Sequence, residues 1–336
     1  MKRIGLILIS YLIAASVLLS VFIVPAGADT VETISAPLYL SSAPSDSALA
    51  EDMGLSLSEL SELRQCFVQA IDQRIGQVNV SRFRIPVDTR ECLNQLIRNE
   101  WHWFFVRVDS YSVVGTQYVY SVNVSYLTES QISAVSAAAD KLLAGIEGTD
   151  LPDEQKALLV HDRLALHCEY DYESIRTTGD VSSPDSYTIY GCLVNRICVC
   201  QGYAETYNWL MNRLGIRTTL CASEALNHVW NLVTIDGYSY NVDVTWDDPV
   251  CDVLGRVDHT YFLVSDQAWT GHNADDYPRA SRDTRFDDAY WRRAESAFMQ
   301  IDGSLYYIDS TSQTLCVLKD GTPQVLTPLA GGTLRW

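Results

Sequence analysis

One cysteine of this chain lies where a helix can turn it into a nucleophile. Cys200 belongs to the stretch ICVCQGYAE, and from Gln201 onward apolar residues recur at helical spacing until Gly215. A cysteine at a helix N-terminus meets unpaired backbone N–H groups and the positive end of the helix dipole, which both favour thiolate over thiol. Cys198 lies earlier, in a segment that we expect to be extended. The pattern therefore predicts Cys200 as the nucleophile.

A predicted β-hairpin downstream brings a base and a carboxylate together. The dipeptide Asp236-Gly237 is a strong signal for a two-residue turn between strands at 228–235 and 238–244. In that register His228 and Asp243 share a face as diagonal neighbours, roughly 7–8 Å apart at the backbone. A nucleophilic cysteine needs a base, and the base needs an orienting group. The hairpin therefore predicts His228 as the base and Asp243 as its orienting carboxylate.

Each of these residues also has a simpler interpretation. A lone histidine near aromatic residues, as His228 is, is more often a hydrogen-bonded core residue, and Asp243 could simply stabilise a turn. Cys200 could form a disulfide with Cys192 or Cys221. Together, however, a cysteine at a helix N-terminus and a histidine and aspartate joined by one hairpin favour a catalytic site.

A set of cysteines could instead supply sulfur ligands to a metal ion. The set comprises Cys192, Cys198, Cys200 and Cys221. Its spacing lacks the paired C-x-x-C type of pattern that is typical of structural zinc sites. We therefore predict neither a metal site nor a cofactor.

The N-terminus has the pattern of a secretory signal. Lys2 and Arg3 precede a mostly apolar run at 4–24, and Ala26 and Ala28 form an A-x-A-like cleavage site. The run is close to bilayer-spanning length, so an uncleaved anchor is the alternative. We therefore predict that residues 1–28 are a signal peptide or an N-terminal anchor, and that the protein is secreted or extracytoplasmic.

The number of cysteines bears on their oxidation state. The chain has 9 cysteines, and an odd number in an exported protein leaves at least one thiol unpaired. A catalytic thiol with up to four disulfides fits this count, and so does a largely reduced protein.

The charge of the chain limits its partners. A net charge of −18 at pH 7 argues against nucleic acid and anionic lipid. Contact with a membrane is expected only through an uncleaved N-terminal segment.

The order of patterns along the chain predicts an α+β protein. A linker at 29–55 leads into a small α+β region at 56–150, which begins with a capping box at Ser56 and Glu59 and has a hairpin around Gly115. The region that carries the candidate site follows at 151–295. Short strands separated by turns predict a β extension at 296–336.

Three ordered motifs resemble those of the transglutaminase-like superfamily, in its bacterial exported branch. They are VCQGYAETYNWLMNRLGI (199–216), NHVWNLVTIDGYSYNVDVTWDDP (227–249) and YFLVSD (261–266). The upstream KALLVHDRLALHCEYDYE (156–173) is similar to the helix that precedes the core of such proteins. The resemblance implies a papain-like α+β core with a cysteine at a helix start and a histidine and an aspartate on adjacent antiparallel strands. It matches Cys200, His228 and Asp243 to those three positions.

The resemblance also implies a reaction. The thiolate of Cys200 would attack a protein or peptide amide to give a thioester acyl-enzyme, which water hydrolyses or an amine accepts. The chain has no acidic loop like the calcium-binding loop of animal transglutaminases, so calcium dependence is not implied. Their oxyanion-holding tryptophan is unmatched, and the N–H of Cys200 with an unassigned donor is expected in its place. The alternative is a catalytically inactive surface-binding or cell-wall-organising protein of the same fold.

Overall fold

The computed structural model describes residues 31–35, 45–115, 117–250, 253–319 and 321–329. Its helices are α1 (Asp46–Asp52), α2 (Leu57–Asp72), α3 (Glu91–Arg98), α4 (Glu129–Leu143), α5 (Asp153–Ala165), α6 (Tyr172–Thr178), α7 (Cys200–Arg213) and α8 (Val244–Asp247). Its strands are β1 (Val31–Ser35), β2 (Gln77–Asn79), β3 (Val106–Val114), β4 (Tyr118–Tyr126), β5 (Glu169–Tyr170), β6 (Ile197–Cys198), β7 (Thr218–Ser223), β8 (His228–Ile235), β9 (Tyr238–Val242), β10 (Met299–Ile301), β11 (Ser304–Asp309), β12 (Thr314–Lys319) and β13 (Thr322–Pro328). The predicted mixed α+β architecture with antiparallel sheets is confirmed.

The chain divides into two compact units, and the first contains residues 31–35, 45–98, 105–115 and 117–126. Its sheet has the order β1-β3-β4-β2, with antiparallel pairs throughout. The predicted capping box is present, because Ser56 accepts from the Glu59 N–H and Glu59 accepts from the Ser56 N–H. The predicted hairpin around Gly115 is formed by β3 and β4. Residues close together in the sequence were sufficient to predict the capping box and the hairpin.

The segment predicted to be a linker, 29–55, differs from that prediction in its described part. Strand β1 pairs with β3, and helix α1 begins after Ser45, whose hydroxyl accepts from the Ala48 N–H. The pairing partner of β1 is far along the chain, so a pattern within the segment could not reveal it. The predicted signal segment at 1–28 lies outside the described residues. In the part of the chain that the structure covers, no helix is both long and apolar enough to cross a membrane.

The second unit contains residues 99–104, 127–250, 253–319 and 321–329. Helix α4 belongs to this second unit, although the sequence analysis placed residues 127–150 in the α+β region at 56–150. The reason is that Val135, Ala139 and Leu143 of α4 are buried in one hydrophobic core with residues of α5 and α7. The strands predicted at 296–336 form the sheet β10-β11-β12-β13 in its described part. Leu305 and Leu318 of this sheet are buried in that same core, so these strands are part of the unit.

A sheet of order β7-β8-β9 and helix α7 form the part of the second unit that carries the candidate site. Asp236 and Gly237 have φ values of 50° and 83°, as the predicted two-residue turn requires. The predicted register is confirmed, because Ile235 pairs with Tyr238 and Asn231 pairs with Val242.

A buried polar network connects helix α5 with helix α8. Both ring nitrogens of His161 face carboxylates, with Nδ1 2.9 Å from Asp162 Oδ1 and Nε2 3.2 Å from Asp247 Oδ2. His259 Nε2 lies 3.0 Å from the same oxygen of Asp162. Burial alone would lower the pKa of His161, but its hydrogen bonds to the two carboxylates outweigh burial and raise the pKa to about 9. The network therefore holds a charged imidazolium between carboxylates and ties α8 to the core.

Helix α7 approaches the strand before it so closely that one position must be glycine. A Cβ on Gly202 would lie 2.6 Å from the Cβ of Cys198 and 2.9 Å from the carbonyl oxygen of Ser186. Neither atom can move without moving backbone. Gly202 therefore sets how near α7 lies to β6.

We expect Gly202→Ala to destabilise the protein by roughly 1–3 kcal/mol, since overpacking of this kind exceeds the helix-propensity gain of about 1 kcal/mol. Thermal unfolding followed by circular dichroism measures the effect. The control is Gly76→Ala, whose new Cβ would meet only the Val124 carbonyl oxygen at 3.5 Å. Equal stability of the two variants would contradict the close approach of α7.

Candidate active site

Cys200 is the first residue of helix α7 and is preceded by Val199, which is extended and makes no side-chain cap. The apolar stripe predicted for this helix is buried, as Tyr203, Tyr207 and Leu210 show. The helix ends at Arg213, just before Gly215 adopts a positive φ of 78°. The predicted position of Cys200 at a helix N-terminus is therefore confirmed. Its N–H belongs to the first turn, where backbone donors have no partner within the helix.

His228 and Asp243 meet at the open end of the β8–β9 hairpin. His228 Nε2 lies 2.5 Å from Asp243 Oδ2, and both side chains are buried. The prediction that the second strand continues to residue 244 is wrong, because β9 ends at Val242. Asp243 instead caps helix α8, with Oδ1 accepting from the Trp246 N–H at 3.2 Å. One carboxylate thus both starts a helix and orients an imidazole.

The charges of the pair stabilise each other. Burial by itself would lower the pKa of His228. The negative charge and the hydrogen bond of Asp243 outweigh burial, with a smaller contribution from Cys200, and the pKa rises to about 10. Burial would raise the pKa of Asp243, yet the positive charge and hydrogen bond of His228 hold that pKa well below its usual range. Asp243 thus engages Nε2 of His228, and Nδ1 is the ring nitrogen that does not face this carboxylate.

His272 is a fourth residue at this site, and the sequence did not indicate it. Its Nε2 donates to Asp243 Oδ2 at 3.0 Å, so a single oxygen accepts from two imidazoles. Its ring is fully buried and stacks on Trp269, with 3.9 Å between ring centroids. His272 lies in an irregular segment without periodicity, and no spacing rule connects it to Asp243.

Two tryptophans enclose the ring of His228. Trp230 and Trp246 stack on it with centroid distances of 5.8 and 5.3 Å and interplanar angles of 22° and 29°. Trp230 is fixed in turn, because its Nε1 donates to Asn241 Oδ1 at 3.1 Å. Trp246 is 37% exposed and forms the solvent side of the site. The aromatic rings fix the imidazole plane and exclude water from its faces.

The cysteines do not pair as the simpler interpretations suggested. Cys200 has a free thiol, so it forms a disulfide with neither Cys192 nor Cys221. The candidate sulfur set of the sequence is not brought together. Cys192 and Cys198 instead lie with Cys168, which the sequence had not linked to them.

Comparison with known proteins yields a distant likeness to solved structures. No model of a known protein family matches the chain, and no curated protein matches it. A solved structure described as the crystal structure of a TGase is similar at a TM-score of 0.30 and 14% sequence identity, over 44% of this chain. The match spans 47% of that protein, about half of its length. At this TM-score we infer neither the fold nor the site from the likeness.

The pair of His228 and Asp243 predicts a specific dependence of stability on pH. The folded state raises the pKa of His228 from 6.5 to about 10, so protonation of the folded state is favoured. The contribution of His228 to stability is therefore complete below pH 6.5 and is lost as the pH rises toward 10.

We expect the difference in free energy of unfolding between wild type and His228→Gln to shrink over that interval, as measured by urea denaturation. The control is His102→Gln, whose ring is half exposed and whose loss should change the free energy of unfolding by at most about 0.5 kcal/mol. A difference for His228→Gln that does not vary with pH would show that the imidazolium is not stabilised in the fold.

Proposed function

We propose that this protein is a transglutaminase-like cysteine enzyme that acts on protein or peptide amides outside the cytoplasm. The observation that carries the proposal is the buried pair of His228 and Asp243, 2.5 Å apart, together with Cys200 at the start of α7, near enough to His228 to contribute to its raised pKa. A nucleophile, a base and an orienting group in hydrogen-bond contact are the requirement for covalent acyl transfer. The papain-like arrangement, with the cysteine at a helix start and its partners on a hairpin, is part of the proposal.

The proposed first step forms the acyl-enzyme. The thiolate of Cys200 attacks the amide carbonyl carbon, and the oxygen takes the negative charge beside the Cys200 N–H at the start of α7. His228 gives its proton to the nitrogen that leaves, so the C–N bond breaks and a thioester remains. Asp243 keeps the imidazole oriented and stabilises its positive charge, and the hydrogen bond from His272 keeps the carboxylate in place.

The second step releases the acyl group. Water or an amine loses a proton to neutral His228 and attacks the thioester, and the thiolate of Cys200 leaves. Water gives hydrolysis, and a primary amine gives a new amide. No feature of the site identifies an amine acceptor, so we propose hydrolysis or unspecified acyl transfer.

Location and partners are proposed on the same basis. The signal-like pattern at 1–28 supports export, with membrane contact limited to that segment if it is retained. The net charge of −18 argues against nucleic acid as a partner, and the protein or peptide partner is proposed from the amide chemistry alone.

Selective alkylation tests the state of Cys200. At mildly acidic pH, where ordinary thiols are protonated, we expect iodoacetamide to label Cys200 at least about 10-fold faster than Cys66, because a thiolate paired with an imidazolium is the reactive form. His228→Ala should remove this advantage, and His102→Ala should preserve it. Peptide mapping by mass spectrometry gives the labelled position. Equal labelling of Cys200 and Cys66 in the wild type would contradict the proposed nucleophile.

Turnover is tested with a glutamine-rich protein and a fluorescent primary amine. Amine incorporation indicates transfer, whereas chain cleavage or conversion of glutamine to glutamate indicates hydrolysis. Cys200→Ala should abolish either activity, and Asp243→Asn should lower kcat by about 100-fold or more, since the imidazole loses its charged partner. A reactive Cys200 without turnover of any amide would favour the alternative, an inactive binding protein of the same fold.

A further inference from the structure

Three thiols outside the candidate active site converge on one point in the core. Cys168 follows helix α5, Cys192 lies in the π turn Gly191–Asn195, and Cys198 ends strand β6. Their sulfurs all lie within 4.8 Å of one another, and those of Cys168 and Cys198 are 3.2 Å apart. All three residues are at most 2% exposed. Three separate chain segments thus each direct a soft donor atom to the same place.

The backbone around this thiol cluster, which we define as Cys168, Cys192 and Cys198, is held in position. Strands β5 and β6 pair in parallel, with Tyr170 opposite Cys198. The N–H of Cys192 donates to the Thr188 carbonyl at 3.1 Å. Gly202 leaves just enough room for the side chain of Cys198. The arrangement of the sulfurs is therefore a property of the fold.

A buried hydroxyl faces the cluster. Thr206 of helix α7 is fully buried near Cys192, and its hydroxyl oxygen has no hydrogen-bond partner among the described residues. A polar side chain is thus placed beside the three sulfurs.

Two simpler roles leave part of this arrangement unexplained. Buried cysteines often act as small apolar residues, but apolar packing does not require three sulfurs to meet or a hydroxyl to face them. A disulfide between Cys168 and Cys198 would use two sulfurs and leave Cys192 buried against the bond. A bound metal ion uses all three.

We propose that Cys168, Cys192 and Cys198 bind one thiophilic d10 metal ion through three thiolates. Each thiol gives up its proton as its sulfur forms a bond to the ion. Sulfurs at about 2.3 Å from a common ion are about 3.8–4.0 Å apart, so the sulfurs of Cys168 and Cys198 need to separate by less than about 1 Å. This site replaces the sequence-based expectation of no metal.

Zn²⁺ and Cu⁺ both bind thiolates. The number of ligands favours one of these ions, and the charge of the site favours the other. In the described chain no fourth histidine, cysteine, aspartate or glutamate joins the group, which favours Cu⁺ because structural zinc sites have four ligands. A divalent ion, however, offsets more of the negative charge of three buried thiolates. In either case the ion would fix Cys198, two residues before Cys200, without touching the candidate active site.

The test uses the full chain, purified with reductant under anaerobic conditions and freed of metal with a chelator. Zn²⁺ and acetonitrile-stabilised Cu⁺ are added separately, and bound metal per chain and the thermal midpoint are measured. We expect one equivalent of at least one ion and a higher midpoint. Cys168→Ser, Cys192→Ser and Cys198→Ser should each lose both effects.

Two variants serve as matched controls. Cys316→Ser changes an equally buried thiol elsewhere in the unit, and Cys200→Ala removes the proposed nucleophile; both should keep the metal. Retention of metal by Cys200→Ala also separates this proposal from the proposed function, because alkylation of Cys200 can fail while metal binding persists.

X-ray absorption of the metal-loaded wild type gives a readout that does not depend on the folding of variants. A first shell with three sulfurs is expected. A shell dominated by nitrogen or oxygen would overturn the proposal, as would uptake of neither ion by the reduced protein. A Cys168–Cys198 disulfide in the protein before reduction, with no metal uptake after reduction, would assign the cluster to disulfide formation instead.

Discussion

The arrangement of the candidate site depends on the two-residue turn at Asp236 and Gly237. Both residues adopt positive φ, which only a small set of residues tolerates, and this fixes the register of β8 against β9. A slip of one residue would send every side chain of the strand to the opposite face of the sheet. The imidazole of His228 would then face away from Asp243. The chemistry proposed for Cys200 thus depends on a turn at the far end of the hairpin.

A second constraint acts on the carboxylate. Asp243 lies where β9 changes into α8, and a single-turn helix has little stability of its own. Helix α8 is also held by buried, charge-assisted hydrogen bonds through its residue Asp247. These bonds belong to the network of His161, Asp162, Asp247 and His259. Removal of one partner of such a network leaves an uncompensated buried charge, which costs about 3–5 kcal/mol. The network therefore supports the site although none of its members touches Cys200.

The parts of the molecule that could be predicted from sequence are those set by neighbours along the chain. The capping box at Ser56, the start of α7 at Cys200 and the register after Asp236 each depend on a few consecutive residues. The parts that could not be predicted depend on distant partners. Strand β1 is defined by its pairing with β3. Helix α4 belongs to the second unit because it packs into a core formed by residues far along the chain.

The same distinction between neighbouring and distant partners separates the site residues that the sequence predicted from those that it did not. His228 and Asp243 are linked by one hairpin, whereas His272 reaches Asp243 from an irregular segment and Cys168 reaches Cys198 across thirty residues of chain. The end of β9 was also missed, because the cap that Asp243 gives to α8 competes with continuation of the strand.

The stacking of Trp246 on His228 gives the site an optical property. An indole in contact with an imidazolium loses fluorescence to it, whereas a neutral imidazole quenches far less. Trp246 is partly exposed and lies 5.3 Å from the ring that the proposed reaction would protonate and deprotonate. Its ring lies nearer still to that of His272, at 4.0 Å between centroids, so its emission reports on the two imidazoles of the site together, and the proton that would move in each half of the reaction has a reporter already present in the chain.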